Sequence, residues 1–324
     1  MTKYKILDIL IKNKGNFISG EMLSEELNVS RTAIWKGVKS LKDKGYNIIG
    51  VNNKGYCLME DNNISDYEIK NTIKCQEIGK EILYFKQIDS TNTYLKKESE
   101  TLEHGCIVIA EEQIHGRAKN AKTFYSPKEN GIYMSILLKK NIFSDSLKLL
   151  TLTVFLAVIK GIKKTTGLDP QTDWNSILIN NKKVAGILIE CSLECDTNNV
   201  ENAVIGIGIN VNNQNFPKEL KDKVTSLRIE TEKEINRKDL ICNILEEIEK
   251  LICDERYIFD RKKNISEYCH YFKFLNKDVL VSSSNRKISG KLIEINEKGG
   301  VVLLKENNKK EVLYSGIIKG LENM

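Results

Sequence analysis

Arg117, Lys119 and Lys122 place three cations within six residues, directly behind Gly116. Cations this dense on a loop opened by glycine suit a polyphosphate. A guanidinium matches phosphate oxygens with a fork of donors, and an ammonium adds a point charge. Gln113 stands just upstream, with an amide able both to donate and to accept. A solvated basic loop has the same composition, so both readings stay open.

Ser90, Thr91 and Asn92 follow Asp89 at the end of an apolar run. Two hydroxyls and an amide in a row can face one pocket, or can simply cap a helix. Lys182 and Lys183 enter a strongly apolar stretch in which Gly186 permits close approach of a ligand to the backbone. Lysines at a strand entry are also commonly just solvated. Residues 206–212 carry Gly206, Gly208, Asn210 and Asn212. Glycine inside a buried strand marks a bulge or a close contact. This is no dinucleotide fingerprint, because no helix follows and the spacing differs.

The elements that must position these residues can be read from periodicity. Strands are predicted at 82–88, 107–111, 133–138, 185–193 and 204–211, and helices at 91–99, 146–165 and 237–257. Residues 175–190 read as a hairpin. Together they predict a mixed α/β domain over 63–272, long enough to bury a core. Residues 273–324 hold short runs at 279–282, 287–294, 300–305 and 311–317, joined by Asn, Gly and Lys turns, which predicts a small β-barrel. The polar stretch 59–66 reads as a linker.

Residues 1–62 have a different character. Ile6, Ile9, Leu10 and Ile11 mark a first helix. Ser19 caps a second, 20–27, with Met22, Leu23 and Leu27 expected inside. Ser30 caps a third, in which Ile34, Val38 and Leu41 recur at helical spacing and face a core. That leaves Arg31, Thr32, Trp35, Lys36 and Lys39 on the outer face. Two short strands follow, with Gly55 supplying the positive φ of the turn between them. Three helices and a hairpin predict a winged helix-turn-helix. Ser30, Arg31, Thr32, Trp35, Lys36 and Lys39 are the candidate DNA contacts.

The whole chain adds bounds. Its 324 residues carry a mild net charge of +6, compatible with nucleic acid without demanding it. No run approaches the ~18 apolar residues that span a bilayer, and the first residues lack the apolar core of a signal peptide. Eight cysteines form no C-x-x-C pair, and three histidines give a zinc site little to build on. Free thiols, no metal centre in the protein itself, no membrane partner and a cytoplasmic location are expected.

Taken in order, residues 30–41, 89–92, 183–190 and 206–212 resemble the bacterial family of bifunctional biotin–protein ligases and biotin operon repressors. The resemblance covers the whole length. It implies an α+β multidomain protein: an N-terminal winged helix, a central mixed α/β biotin-ligase domain and a C-terminal SH3-like β-barrel. It also implies ATP-dependent formation of biotinyl-5′-adenylate, with Mg²⁺, and transfer of biotin to a lysine of biotin carboxyl carrier protein. The adenylate would further act as corepressor, favouring a homodimer that binds operator DNA.

By position, Ser90, Thr91, Asn92, Gln113, Arg117, Ala118, Lys119, Lys183 and Gly186 would bind biotin. Gly116, Lys122, Asn175 and Asn210 would hold ATP and the adenylate. Arg117, Lys119 and Lys183 would be catalytic.

Two motifs depart from the family pattern. Its loop Gly-Arg-Gly-Arg-Arg-Gly is here Gly116-Arg-Ala-Lys-Asn-Ala121. Its Lys-Trp-Pro-Asn-Asp is here Thr172-Asp-Trp-Asn-Ser176, with Asn175 alone in place. On a strand, the one-residue displacement of Trp174 would turn its side chain to the opposite face. Three functions are therefore expected in order: ligase and repressor with a slower site, biotin-sensing repressor deficient in ligation, and transcription factor sensing another small carboxylic acid.

Overall fold

The computed structural model describes residues 2–59, 64–119, 122–128, 130–139, 147–193, 200–253, 261–283 and 286–321. Its contacts divide the chain into two compact units, Met1–Asn63 and Ile64–Met324.

The first unit is built from α1 (Thr2–Lys12), α2 (Gly20–Leu27), α3 (Arg31–Asp43), β1 (Ile48–Val51) and β2 (Gly55–Leu58). Ile6, Leu7, Leu10, Leu23, Ile34 and Leu41 are fully buried and form its core. Both predicted caps are made. Ser19 Oγ accepts from Met22 N at 3.0 Å, and Ser30 Oγ accepts from Ala33 N at 3.2 Å. β1 and β2 pair as an antiparallel hairpin. Gly55 takes φ +100°, and a Cβ there would sit 2.0 Å from the Ile18 carbonyl oxygen. Conformation and space thus both demand glycine. One expectation fails: Met22 is 58% exposed. Leu23 and Leu27 share a face at i and i+4, and Met22 sits one residue, about 100°, around the helix.

The second unit is centred on a seven-stranded sheet of order β3-β4-β5-β9-β8-β7-β6. Its strands are β3 (Ile82–Phe85), β4 (Ile107–Ala110), β5 (Gly131–Leu138), β6 (Gln171–Thr172), β7 (Ser176–Ile179), β8 (Lys182–Leu193) and β9 (Val200–Asn210). β3 and β4 are parallel and every other pair is antiparallel. β4 and β5 are buried along their whole length, which explains their largely apolar sequence, Ser135 excepted. Helix α4 (Asp66–Thr72) precedes the sheet, and α5 (Thr91–Lys97) follows β3. α6 (Leu147–Thr166), α7 (Leu227–Thr231), α8 (Arg237–Ile252) and α9 (Arg261–Tyr271) complete the helices described. α6 and α8 pack together and bury Phe155, Ile159, Leu245 and Ile248. The fully buried Arg237 is neutralised by Glu111 at 2.9 Å and also donates to the Gly131 carbonyl at 3.1 Å. A charge this deep is tolerated only when paired.

The expected linker is shorter than 59–66, because Ser65 already caps α4 and accepts from Glu68 N at 3.2 Å. Its centre, 60–63, lies outside the described residues, as do Ser146 and residues 254–257 of two expected helices.

β10 (Asp278–Ser283), β11 (Arg286–Ile295), β12 (Val301–Leu304), β13 (Lys310–Leu313) and β14 (Ile317–Gly320) form a second antiparallel sheet of order β13-β12-β11-β10-β14. The strand expected over 311–317 is interrupted at 314–316. Among the described residues the pairings leave β13 and β14 as edges, so the expected barrel is here an open sheet. No helix among them is long and apolar enough to cross a membrane.

Candidate active site

A cavity of about 930 Å³ opens on one face of the seven-stranded sheet. Sheet register builds its floor. Gly186 pairs with Gly208, Leu188 with Gly206, and Gly206 with Ser135. Partners across a ladder, and alternate residues along a strand, share a face. Three glycines therefore open a gap in that face between the side chains of Ser135 and Leu188. The space is already used: a Cβ on Gly206 would lie 2.1 Å from Asn92 Oδ1, and one on Gly208 would lie 2.7 Å from the Phe124 ring.

Above this floor stands a polar network. Ser90 caps α5, accepting from Thr93 N at 3.4 Å, while Thr91 and Asn92 line the cavity. Cap and pocket are thus both real. Thr91 donates its backbone N–H to Gln113 Oε1 at 3.0 Å. Ser135 Oγ lies 2.7 Å from Thr91 Oγ1 and 2.6 Å from Asn92 Oδ1. A serine has one proton, so it satisfies one of these contacts as donor and the other as acceptor. Gln113 Nε2 donates to Ser126 Oγ at 3.0 Å. Asn92 Nδ2 donates to Glu190 at 3.0 Å, and Lys96 and Arg117 reach the same carboxylate at 3.0 and 3.2 Å. Burial alone would raise the Glu190 pKa. The bonds from Asn92 and Lys96 and the charge of Arg117 outweigh it and hold the carboxyl below its ordinary value. Arg117 is thereby anchored at the rim.

A second group is cationic. Lys119, Lys122, Lys148 and Lys183 line the cavity with Asp173, the one carboxylate among its described lining residues. Lys119 Nζ donates to Asn175 Oδ1 at 3.2 Å, and Asn175 Nδ2 donates to the Gly316 carbonyl at 2.8 Å. Lys183 Nζ sits 5.6 Å from the Phe124 ring centroid. Burial and, respectively, Lys183 and Lys122 push Lys119 and Lys183 below the ordinary lysine value, against the pull of Asp173. Lys148 is pushed down to about 8 by burial and by Lys119. Crowded ammonium groups with depressed pKa values are poised to take an anion.

The altered motif at 172–176 forms a turn. Asp173 Oδ1 accepts from Asn175 N at 3.0 Å and Ser176 N at 2.8 Å. Trp174 has φ +83° and is fully buried, with Lys148 Nζ 4.3 Å from its ring centroid. It lies between strands, so the expected flip to an opposite sheet face does not apply. Thr172 is buried and turned towards Tyr268, 3.4 Å away.

Of the residues singled out from sequence, Ser90, Thr91, Asn92, Gln113, Arg117, Ala118, Lys119, Lys122, Asn175, Lys183 and Gly186 all line this cavity. Gly116 and Asn210 do not. Gly116 is buried against the Phe124 carbonyl, and Asn210 Nδ2 is spent on the Thr225 carbonyl at 3.0 Å. Asn120 and Ala121 lie outside the described residues. Sequence reasoning missed Phe124, Lys148 and the wall formed by 282–283 and 315–318, and the supporting hydroxyl of Ser135; Asp173, the acidic residue near the altered position 176, does line the cavity.

In the first unit, Arg31, Thr32, Trp35, Lys36 and Lys39 are all exposed on α3. Lys39 Nζ lies 5.4 Å from the Trp35 ring centroid, and Arg31 pairs with Glu21. Ser30 is committed to the cap.

Glu77, His104 and Cys253 also bring metal-type donors within 4.8 Å of one another. His104 Nδ1 accepts the Lys139 N–H at 3.0 Å, so the neutral ring carries its proton on Nε2, which faces Glu77 at 3.4 Å. A metal needs that nitrogen bare.

Comparison with known proteins matches these two regions separately. Residues 2–57 match a helix-turn-helix domain model, and 84–210 match the biotin/lipoate A/B protein ligase family. The bifunctional ligase/repressor BirA of Bacillus subtilis is 35% identical over 98% of both chains. That of Escherichia coli is 26% identical over 91% of this chain and 90% of its own. The biotin protein ligase of Aquifex aeolicus, solved in complex with biotin and ATP, superposes with a TM-score of 0.64 at 29% identity, covering 74% of this chain and 98% of that one. The fold and site are those of a biotin protein ligase carrying a DNA-binding domain. The chain belongs to the bifunctional ligase/repressor family.

Proposed function

We propose that the cavity binds biotin and ATP and joins them as biotinyl-5′-adenylate. The observation that carries this is the single cavity with two chemistries: the Thr91, Asn92 and Gln113 network for a polar heterocycle, and four lysines facing one aspartate for polyphosphate. A biotin carboxylate oxygen attacks the α-phosphorus, the bond to the β-phosphate oxygen breaks, and pyrophosphate leaves. An acceptor lysine amine then attacks the acyl carbon, loses a proton and expels AMP. No enzyme nucleophile is required. Lys119 and Lys183 hold the reacting anions together and stabilise charge that develops during transfer. Gly186 gives the ligand access to the backbone, and Asn175 orients Lys119.

Mg²⁺ fits this donor set in one way. Asp173 would hold it with its second carboxylate oxygen, leaving phosphates and water to complete the shell. The ion supplies neutralisation of phosphate charge. Biotin carboxyl carrier protein is the proposed acceptor. The strand order of the C-terminal sheet, edge strand β14 beside β10 and then a meander, supports reading 273–324 as an SH3-like module, and 1–62 and 63–272 as the other two domains.

The exposed cationic face of α3 supports operator binding by a homodimer, with the adenylate as corepressor. Two recognition helices at fixed separation read a repeated half-site, so a ligand that assembles the dimer controls DNA affinity. The deciding experiment is single-turnover incubation with biotin and ATP labelled on the α-phosphate. Labelled biotinyl-adenylate is the expected product. Biotin binding without adenylate would instead establish a ligand-sensing repressor.

A further inference from the structure

Lys148 is the least expected cation in the cavity. It stands in the first turn of α6, where the positive end of the helix dipole opposes a cation. No ion pair to a carboxylate is found for it among the described residues, and its charged neighbour is another cation, Lys119. The stem is half-buried. Its ammonium is held 4.3 Å from the centroid of the buried Trp174 ring, which attracts the charge without neutralising it. Trp174 reaches this place only through a left-handed backbone, φ +83°, in the turn whose next residues, Asn175 and Ser176, line the cavity. A strained, buried tryptophan thus supports an ammonium that no carboxylate among the described residues compensates, at a cavity wall. Helix stability gains nothing from that arrangement; a bound anion does.

We infer that Lys148 is a phosphate ligand of the nucleotide, placed by Trp174 to contact the polyphosphate together with Lys119. The ligand is polyphosphate rather than a lone carboxylate because four lysines converge against one aspartate, more charge than one carboxylate neutralises. Its low pKa agrees, since an arriving anion restores the proton and stabilises the charged form.

The inference rests on the proposed reading of the cavity and is tested apart from it. Lys148→Met keeps an unbranched stem of similar volume, and Lys148→Arg keeps the charge. Calorimetry on the full chain measures biotin and pyrophosphate binding separately, and steady-state kinetics give the KM for ATP. Loss of one charge-assisted contact weakens pyrophosphate and ATP by about tenfold or more in Lys148→Met, leaves biotin within about twofold, and is largely recovered in Lys148→Arg. Unchanged pyrophosphate affinity in Lys148→Met overturns the inference. So does parallel loss of biotin, pyrophosphate and melting temperature, which would mark a support for Trp174. Pyrophosphate bound tightly by the wild type without any adenylate formed would defeat the proposed ligase reaction, yet the Lys148→Met loss would still establish the phosphate ligand.

Discussion

Asn92 Oδ1 occupies the space where a Cβ on Gly206 would be, 2.1 Å from that point, although the two residues come from a helix start and from the middle of β9. Asn92 is not free to retreat. Ser135 holds its oxygen at 2.6 Å and Glu190 its nitrogen at 3.0 Å. Gly206→Ala therefore displaces the amide or lifts α5 off the sheet. The expected cost is about 1–3 kcal/mol of stability, with loss of most biotin affinity. Melting curves and biotin calorimetry check both; normal biotin binding in this variant would show that Asn92 can move without consequence.

The DNA contacts are testable without touching the ligase. Lys36 and Lys39 are exposed on α3 in the N-terminal unit. Changing both to Ala should weaken operator binding and reduce the slope of log K against log salt by about one unit per lost phosphate contact. Adenylate formation should be unaffected. An unaltered salt slope would move the interface away from α3.

Asp173→Asn separates two roles of one side chain. The amide oxygen can still accept from Asn175 and Ser176, so the turn should survive. The charge is lost. If the carboxylate helps hold Mg²⁺, pyrophosphate release should slow by about tenfold and require more Mg²⁺, with biotin affinity unchanged. Ser176→Asp adds a second carboxylate and should raise the rate. Indifference of the Mg²⁺ titration to both changes would remove this site from the metal.

Lys148 gives a pH signature with a definite sign. Its folded pKa is about 8 against an ordinary 10.5, so between these values the unfolded chain binds the additional proton. The Lys148 contribution to stability of the ligand-free protein should rise with pH across that window, the penalty of its buried charge being fully present below about 8, while the buried thiols of Cys75, Cys106 and Cys242, pushed up to about 12, contribute with the opposite sign above about 9. Polyphosphate binding has the opposite trend, weakening as the ammonium loses its proton above about 8. The wild-type minus Lys148→Met difference in melting temperature should rise across the window, and pyrophosphate affinity should lose part of its pH slope in Lys148→Met. Lys119 and Lys183, depressed in the same direction, add to the rising contribution and persist in the variant.

Much of this was legible in the chain because the signals are local. Ser19 and Ser30 cap where hydroxyls precede apolar periodicity, and Gly55 turns where a left-handed residue is needed. The cavity-lining hydroxyls, amides and cations of Ser90, Thr91, Asn92, Gln113, Arg117, Lys119 and Lys183 stand out in sequence because they are clustered. What stayed hidden depends on distant pairing. Phe124 is an unremarkable aromatic until register brings Gly208 beneath it. Lys148 is buried in the text of an apolar helix. Trp174 was misplaced because its turn, set by φ +83°, interrupts what reads as a strand. Asn210 shows the converse: its type suggests a ligand contact, but it does not line the cavity and its amide donates to the Thr225 carbonyl.

The wall formed by 282–283 and 315–318 has a consequence in time. Gly316 supplies the carbonyl that fixes Asn175, and Asn175 in turn receives Lys119. During translation, the recognition helix leaves the ribosome long before this carbonyl does. A nascent chain halted after the first unit has emerged but before residue 316 can therefore present a folded helix-turn-helix while its reaction chamber still lacks one side.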